Sequence, residues 1–123
     1  MKRIFVLALP SAVLALSLFT ACATSRPQDQ LRFGIWASER NLWDEAIFRW
    51  KKAAEANPKS VAAHNNLAVA YEKKGLFEDA LKEYQLALKL DPENSYVQSN
   101  YKNCQENIQS PGKEAKSKKD EKK

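Results

Sequence analysis

The chain has few of the side chains on which catalytic and metal sites most often depend. Among its 123 residues there are one histidine, His64, and two cysteines, Cys22 and Cys104. Four-ligand zinc sites need paired cysteine and histidine spacings, which so few ligands do not form. A Ser-His-Asp set and a glycine-rich phosphate loop are absent as well. We therefore predict no catalytic residue, no metal site and no cofactor, and we do not expect an enzyme.

The chain also lacks a basic face. Basic residues outnumber acidic residues by 20 to 15, but the excess lies at the two ends. Lys2 and Arg3 begin the chain and six lysines fall in residues 111–123, whereas residues 22–110 carry equal numbers of each sign. A nucleic-acid-binding surface is usually strongly basic, so we expect no nucleic-acid partner. Residues 110–123 have one alanine as their apolar content and are predicted to be disordered.

One long apolar run is present, and it lies at the N-terminus. Residues 4–18 carry no charge and follow Lys2 and Arg3. The run is shorter than the roughly 20 residues that a membrane-spanning helix needs. A positive start before a short apolar run is typical of an export signal. Residues 1–21 are therefore predicted to be a signal peptide, with an uncleaved anchor helix as the alternative.

The end of this segment carries a more specific pattern. Thr20 and Ala21 lead directly into Cys22, and this sequence resembles the lipobox of bacterial lipoproteins, with Phe19 where leucine is usual. The resemblance implies that Cys22 becomes the lipid-modified first residue of the mature chain, and that residues 22–30 tether the folded part to a membrane. Several acyl chains make such an attachment stable. The alternative is a plain secretory signal in which Cys22 has no role.

The resemblance to lipoproteins also implies a cellular location, and it leaves Cys104 as the one cysteine with a free thiol. The protein is expected in the bacterial cell envelope, and Ala23 favours the outer membrane, facing the periplasm, if the host is Gram-negative. A lipid on Cys22 would leave Cys104 on an apolar helical stripe with Val97 and Tyr101. We expect Cys104 to be a buried, unreactive thiol, with a disulfide role as the alternative.

Two segments that lie thirty-four positions apart share one plan. They are WDEAIFRWKKAAEANP, from Trp43, and FEDALKEYQLALKLDP, from Phe77. This period and pattern resemble the tetratricopeptide repeat. The second copy fits best, at Leu67, Ala68, Tyr71, Gly75, Ala80, Tyr84, Ala87 and Pro92. The resemblance implies an all-α fold of antiparallel helix-turn-helix repeats, an α-solenoid, with repeats at residues 27–60 and 61–94 and a capping helix at residues 95–109.

Local signals predict the same helices without the family. Glycine and asparagine tolerate the positive φ at which many helices end, so Gly75 and Asn41 mark the turn within each repeat. The acids at residues 44–45 and 78–79 favour the start of the next helix. Two repeats and a cap make a small core, because stacked repeats usually need about three units. We expect the fold to be just stable or to be completed by a partner.

The three tryptophans divide into two groups. Trp43 and Trp50 align with aromatic residues of the second repeat and are predicted to lie in the core. Trp36 aligns with Ala70, while its neighbour Ala37 aligns with Tyr71, so the large and the small residue have exchanged places. We predict that Trp36 lies on an open apolar edge and contacts another protein or a second copy of the chain. The alternative is that Trp36 folds under its own repeat.

The tetratricopeptide resemblance also implies a binding groove on the first helix of each repeat. The groove residues that it implies are Leu31, Ile35, Ser38, Asn65, Val69, Glu72 and Lys73. Such an apolar strip with polar edges suits a hydrophobic or amphipathic protein segment. His64, on the same helix, is expected in the groove or on the surface. The alternative is that a groove of two repeats is too shallow to bind a ligand.

These features predict a protein-binding module rather than a catalyst. The leading prediction is a lipid-anchored bacterial protein that binds a protein partner and takes part in assembly of an envelope complex. The alternative is a lipid-tethered structural spacer whose lysine-rich tail contacts the cell wall.

Overall fold

The residues that the structure describes form five α-helices. The computed structural model describes residues 26–109, so the predicted signal peptide, Cys22 and the tail at residues 110–123 lie outside the described range. The helices are α1 Pro27–Ser38, α2 Trp43–Ala56, α3 Val61–Lys73, α4 Phe77–Leu90 and α5 Ser95–Gln109. Helices α1 and α2 pack as one pair and α3 and α4 as the next, with α2 against α3 and α5 against α4. The predicted all-α solenoid of helix-turn-helix repeats is confirmed.

The turns within the two repeats use the same backbone device. Asn41 has φ +58° and Gly75 has φ +74°, and these are the positive-φ residues of the described chain. The backbone N–H of the next residue then bonds a carbonyl of the preceding helix, from Leu42 to Ala37 and from Leu76 to Tyr71. Both residues occupy the turns that the sequence predicts, because glycine and asparagine adopt this conformation at low cost.

The starts of α3 and α5 are capped by side chains. Ser60 Oγ accepts the backbone N–H of Ala63 at 3.1 Å. Asn94 Oδ1 accepts the backbone N–H of Val97 at 3.1 Å. Such caps satisfy donors that have no partner within the helix, and each stabilises its helix by about 1 kcal/mol. The caps fix where a new repeat begins after Pro58 and Pro92.

The two repeats have the same core packing, except that the central aromatic ring is larger in the first repeat. Ala46 and Ala53 in α2, like Ala80 and Ala87 in α4, are buried and let neighbouring helices approach closely. The larger side chain between each alanine pair fills the remaining space: Trp50 in the first repeat and Tyr84 in the second. Trp50 is buried as predicted, and Trp43 is half-buried against the same cluster.

Gly34 accommodates the larger of these two aromatic rings. A Cβ built on Gly34 would lie 2.5 Å from Cδ1 and 2.6 Å from Cε2 of Trp50, well inside van der Waals contact. The indole Nε1 donates a hydrogen bond to the Leu31 carbonyl in α1 at 3.1 Å. In the second repeat the equivalent pair is Ala68 and Tyr84. The first repeat therefore has a larger ring and, at the facing position, one methyl group fewer.

Helix α5 stands in the register of a first helix. Val97 and Cys104 lie thirty-four positions after Ala63 and Ala70, and all four side chains are buried. The positions that would meet a following second helix are polar in α5: Gln98, Lys102 and Gln105. Because these side chains are hydrated at low cost, α5 ends the array as a polar cap. Two further large side chains of α5, Tyr96 and Ile108, are exposed.

His64 was expected in the groove or on the surface, and that expectation is wrong. Its ring is buried between the α2–α3 turn and α4. Nδ1 lies 2.7 Å from Oε2 of Glu83, and Nε2 lies 2.9 Å from the Pro58 carbonyl. His64 therefore joins three segments of the fold.

Cys104 is a free, buried thiol, as predicted. Its Sγ lies 3.8 Å from the Phe77 carbonyl, to which it donates a weak hydrogen bond. Burial raises the pKa of the thiol to about 12, and the nearby carboxylates of Glu72 and Glu78 add to this effect. The reactive thiolate is consequently rare at neutral pH.

Candidate protein-binding face

The side of the stack formed by α1, α3 and α5, here named the first-helix face, carries the predicted groove residues. Leu31, Ile35 and Ser38 lie on α1, whereas Val69 and its neighbours Glu72 and Lys73 lie on α3. Ile35 and Val69 occupy equivalent positions in the two repeats. Ile35 is 44% exposed, and Leu31 and Val69 are half-buried. The first helices of the two repeats, α1 and α3, thus present an aliphatic side chain at the same repeat position.

Two polar groups of this face are already held by the fold. Ser38 Oγ donates to the Ile35 carbonyl at 2.8 Å. Glu72 Oε1 accepts the Tyr84 hydroxyl at 2.5 Å. Burial raises the pKa of Tyr84, and the hydrogen bond to the Glu72 carboxylate raises this pKa further. These groups are therefore engaged internally, while the apolar side chains and the exposed Lys73 remain accessible.

Asn65 differs from the position that the resemblance implied. Its side chain is buried, and Oδ1 accepts a hydrogen bond from Asn100 Nδ2 in α5 at 3.1 Å. Its own Nδ2 donates to Asn66 Oδ1 at 3.3 Å. Asn65 therefore bridges α3 and α5 and has little exposed surface. The cause is the proximity of α5, which is not apparent in the repeat pattern of α3 itself.

A shallow cavity of about 360 Å³ lies where α3 meets the start of α5. Its lining residues are Val61, Ala62, Asn65, Asn66, Asn94, Tyr96 and Val97. Of the three amides in this lining, Asn65 was among the predicted site residues, whereas Asn66 and Asn94 were not. One signal in the sequence could have indicated them: Asn100 follows Asn66 by one repeat length, which places α5 beside α3 as a further first helix.

Trp36 lies outside the first-helix face, at the N-terminal edge of the stack. Its side chain is 47% exposed, so the alternative in which it folds under its own repeat does not hold. The Arg40 guanidinium lies 4.3 Å from the centroid of the indole ring, and Arg40 Nη1 donates to the Trp36 carbonyl at 3.0 Å. Contact of Trp36 with another molecule stays a prediction.

Within residues 26–109, no group of three or more His, Cys, Asp or Glu side chains is arranged to hold a metal ion. None of the five described helices is both long enough and apolar enough to cross a bilayer.

Comparisons with known proteins agree with this architecture. Residues 31–95 match the family model described as tetratricopeptide repeat. Over 50 residues the chain is 42% identical to protein O-mannosyl-transferase TMTC4 of Mus musculus, a stretch covering 41% of this chain and 7% of that protein. The chain therefore spans a small fraction of this relative.

A solved structure gives an independent comparison of the fold. A point mutant of MamA superposes with a TM-score of 0.62 at 26% sequence identity, covering 67% of this chain and 60% of the MamA chain. The family match extends over more than half of the chain, and the helix pairs, turns and small-residue contacts are those of the repeat. The chain belongs to the tetratricopeptide repeat family.

Proposed function

We propose that this chain is a lipid-anchored protein of the bacterial cell envelope, and that its first-helix face binds a segment of another protein. Tetratricopeptide repeats form helical scaffolds for protein–protein interaction. Assembly of an envelope complex is the role that we propose for this scaffold. The anchor is proposed from the pattern before Cys22, which precedes the first helix by five residues.

The observation that supports binding at this face is the exposure of Ile35. The Ile35 side chain is 44% exposed, and covering its aliphatic surface with apolar groups of a ligand would be favourable. The neighbouring polar groups, Ser38 and Glu72, are turned towards the chain's own backbone and the Tyr84 hydroxyl. A ligand that covers this face therefore gains most from apolar contact rather than from new hydrogen bonds.

The arrangement favours an amphipathic helix or an extended hydrophobic segment as ligand. Such a segment would lay its apolar residues on Ile35 and Val69 and keep its polar side in water. Lys73 is exposed beside them and would favour an acidic residue at the edge of the ligand. The binding surface is short, so the affinity would depend on a few apolar contacts.

Site-specific photocrosslinking in the native host tests this proposal. A photoreactive residue at position 35 is expected to give one saturable adduct with a partner protein, identified by mass spectrometry. Ile35→Asp is expected to abolish co-purification of that partner. Leu86→Asp is the matched control, because Leu86 is also 44% exposed but lies on α4, outside the first-helix face. Equal loss of the partner in both variants would contradict a specific face.

Deletion of the lysine-rich tail tests the alternative function, a structural spacer. A structural spacer would bind purified cell wall, and this binding would vanish when the chain is truncated before Lys113. A partner protein bound through the first-helix face would remain bound to the truncated chain. Mass spectrometry of Cys22 tests the anchor separately, since a lipid-modified cysteine has a characteristic added mass and an unmodified one would contradict the anchor.

A further inference from the structure

The two ends of the helical stack differ in chemistry. At the C-terminal end, α5 presents Gln98, Lys102 and Gln105 where a further helix would pack. At the N-terminal end, α1 presents Phe33 and Trp36, which are 53% and 47% exposed. The last surface of a repeat array is usually polar, because it would otherwise expose its core positions to water. The N-terminal end departs from this rule.

The repeat register identifies Phe33 and Trp36 as such core positions. Leu67 follows Phe33, and Ala70 follows Trp36, by one repeat length, and both are buried against α2. Cys104 follows Ala70 by the same length and is buried against α4. No helix precedes α1 among the described residues, so its corresponding side is open. A shallow cavity of about 370 Å³ lies there, lined by Asp29, Arg32, Phe33 and Trp36.

Arginine side chains lie against the exposed rings. The Arg40 guanidinium is 4.3 Å from the ring centroid of Trp36. The Arg49 guanidinium is 5.3 Å from the ring centroid of Phe33 and 5.4 Å from that of Phe48, which is itself 49% exposed. We name the surface formed by Phe33, Trp36, Phe48, Arg32, Arg40 and Arg49 the edge surface. It combines large apolar rings with guanidinium groups at their faces.

This composition does not suit a further packed helix. Ala70 lets α2 approach α3 closely, whereas the indole of Trp36 would hold a neighbouring helix away. A protein covering the edge surface would also remove the guanidinium of Arg40 from water, which is unfavourable unless that protein supplied an acid. A second copy stacked as an additional repeat therefore fits poorly.

The edge surface lies close to the proposed lipid anchor. Cys22 precedes Pro27 by five residues, which span at most about 18 Å when fully extended. Helix α1 has twelve residues and is about 18 Å long, so its whole outer side lies within or near the reach of the anchor. The exposed residues of α4 and α5 lie at the opposite end of the stack.

We propose that the edge surface docks on the anionic phospholipid bilayer to which Cys22 is tethered. Phe33, Trp36 and Phe48 would enter the boundary between headgroups and acyl chains, where aromatic rings are favoured. Arg40 would pair with a lipid phosphate, which guanidinium groups bind in bidentate fashion, whereas Arg49 is already ion-paired with Glu45 at 2.7 Å. The inference rests on the proposed lipid anchor. It orients the stack so that α5 points away from the membrane.

Tryptophan quenching by brominated lipids tests this docking in the full-length lipidated protein. The protein is reconstituted into vesicles of phosphatidylethanolamine and phosphatidylglycerol, with or without bromine on the acyl chains. We expect brominated vesicles to lower the emission of the wild-type protein. This loss should disappear in Trp36→Phe and persist in Trp43→Phe, a matched control in α2. Circular dichroism verifies that both variants retain the helical content of the wild type.

The outcomes separate this inference from the anchor on which it rests. Mass spectrometry and vesicle flotation report the anchor, whereas quenching reports the position of Trp36. Flotation with Trp36 quenched by aqueous acrylamide but not by bromine would overturn the docking and leave the anchor intact. Protection of Trp36 from both quenchers would also overturn it and indicate a protein contact, with a second copy then visible by crosslinking. An unmodified Cys22 would overturn the anchor and the docking together.

Discussion

Replacing Gly34 by alanine tests the packing between the two helices of the first repeat. In an exposed helix this replacement stabilises by about 1 kcal/mol, because glycine is a poor helix former. Here the added methyl group would lie 2.5 Å from Cδ1 of Trp50. Carbon atoms in contact lie about 3.5 to 4.0 Å apart, so the ring would have to move by about 1 Å. Trp50 is buried and has little space into which to move.

The expected loss of stability follows from three contributions. Overpacking of a filled core costs about 1–3 kcal/mol. Displacement of the indole weakens its hydrogen bond to the Leu31 carbonyl, worth about 0.5–1.5 kcal/mol. The better helix propensity of alanine offsets about 1 kcal/mol of this. We expect Gly34→Ala to lower the free energy of unfolding by about 2 kcal/mol, or the melting temperature by roughly 10 °C for a body of this size.

Thermal unfolding followed by circular dichroism measures this effect, and a double-mutant cycle identifies its cause. Trp50→Tyr gives the first repeat the ring that the second repeat has beside Ala68. The double variant Gly34→Ala/Trp50→Tyr should therefore be more stable than the sum of the single changes implies, by about 1 kcal/mol or more. An unchanged or higher melting temperature in Gly34→Ala, or strict additivity in the cycle, would refute this reasoning.

Four further results are expected. His64→Ala should lower the urea stability by about 1–3 kcal/mol, because it leaves Glu83 and the Pro58 carbonyl without this partner; a loss below this range would mean that the bridge is dispensable. Alkylation of Cys104 by iodoacetamide should be slow in the folded protein up to pH 9 and fast in urea, because burial raises the pKa of the thiol to about 12. The raised pKa of the Cys104 thiol also makes the stability of the fold depend on pH. The stabilising contribution of the thiol is present below pH 9, its ordinary pKa, and declines as pH rises towards 12. Cys104→Ala should therefore show a smaller fall of melting temperature between pH 9 and pH 12 than the wild type. Asn41→Gly should be neutral or stabilising and Asn41→Ala destabilising by about 1 kcal/mol, since φ is +58° there; equal melting temperatures would argue against a strained turn.

The helices could be predicted from the sequence because their signals are local. Gly75 and Asn41 mark turns through their own backbone preferences, and proline ends each repeat. The buried position of Trp50 followed from its alignment with Tyr84, since a repeated unit repeats its packing. Local chemistry and internal comparison therefore carried the prediction of the fold.

The positions of His64 and Asn65 could not be predicted in this way. His64 contacts Glu83, nineteen residues later, and Asn65 contacts Asn100, thirty-five residues later. These partners lie on other helices, and the pattern of α3 alone does not reveal which side they approach. Asn65 is accordingly more buried than the repeat pattern of α3 indicated. Trp36 is exposed because no helix covers it among residues 26–109, and the exchange of Trp36 and Ala37 had indicated an open edge.

The position of α5 has a consequence for how the length of such a protein can change. Because α5 makes the contacts of a first helix and is polar on its other side, the helices within residues 26–109 end halfway through a repeat unit. A duplicated copy of residues 61–94, inserted after Asn94, would pack against α4 on one side and against α5 on the other, through the same kinds of contact that the original copy makes. Growth by gene duplication could thus proceed from the middle, lengthening the ligand-binding side one helix pair at a time while both termini keep their present form.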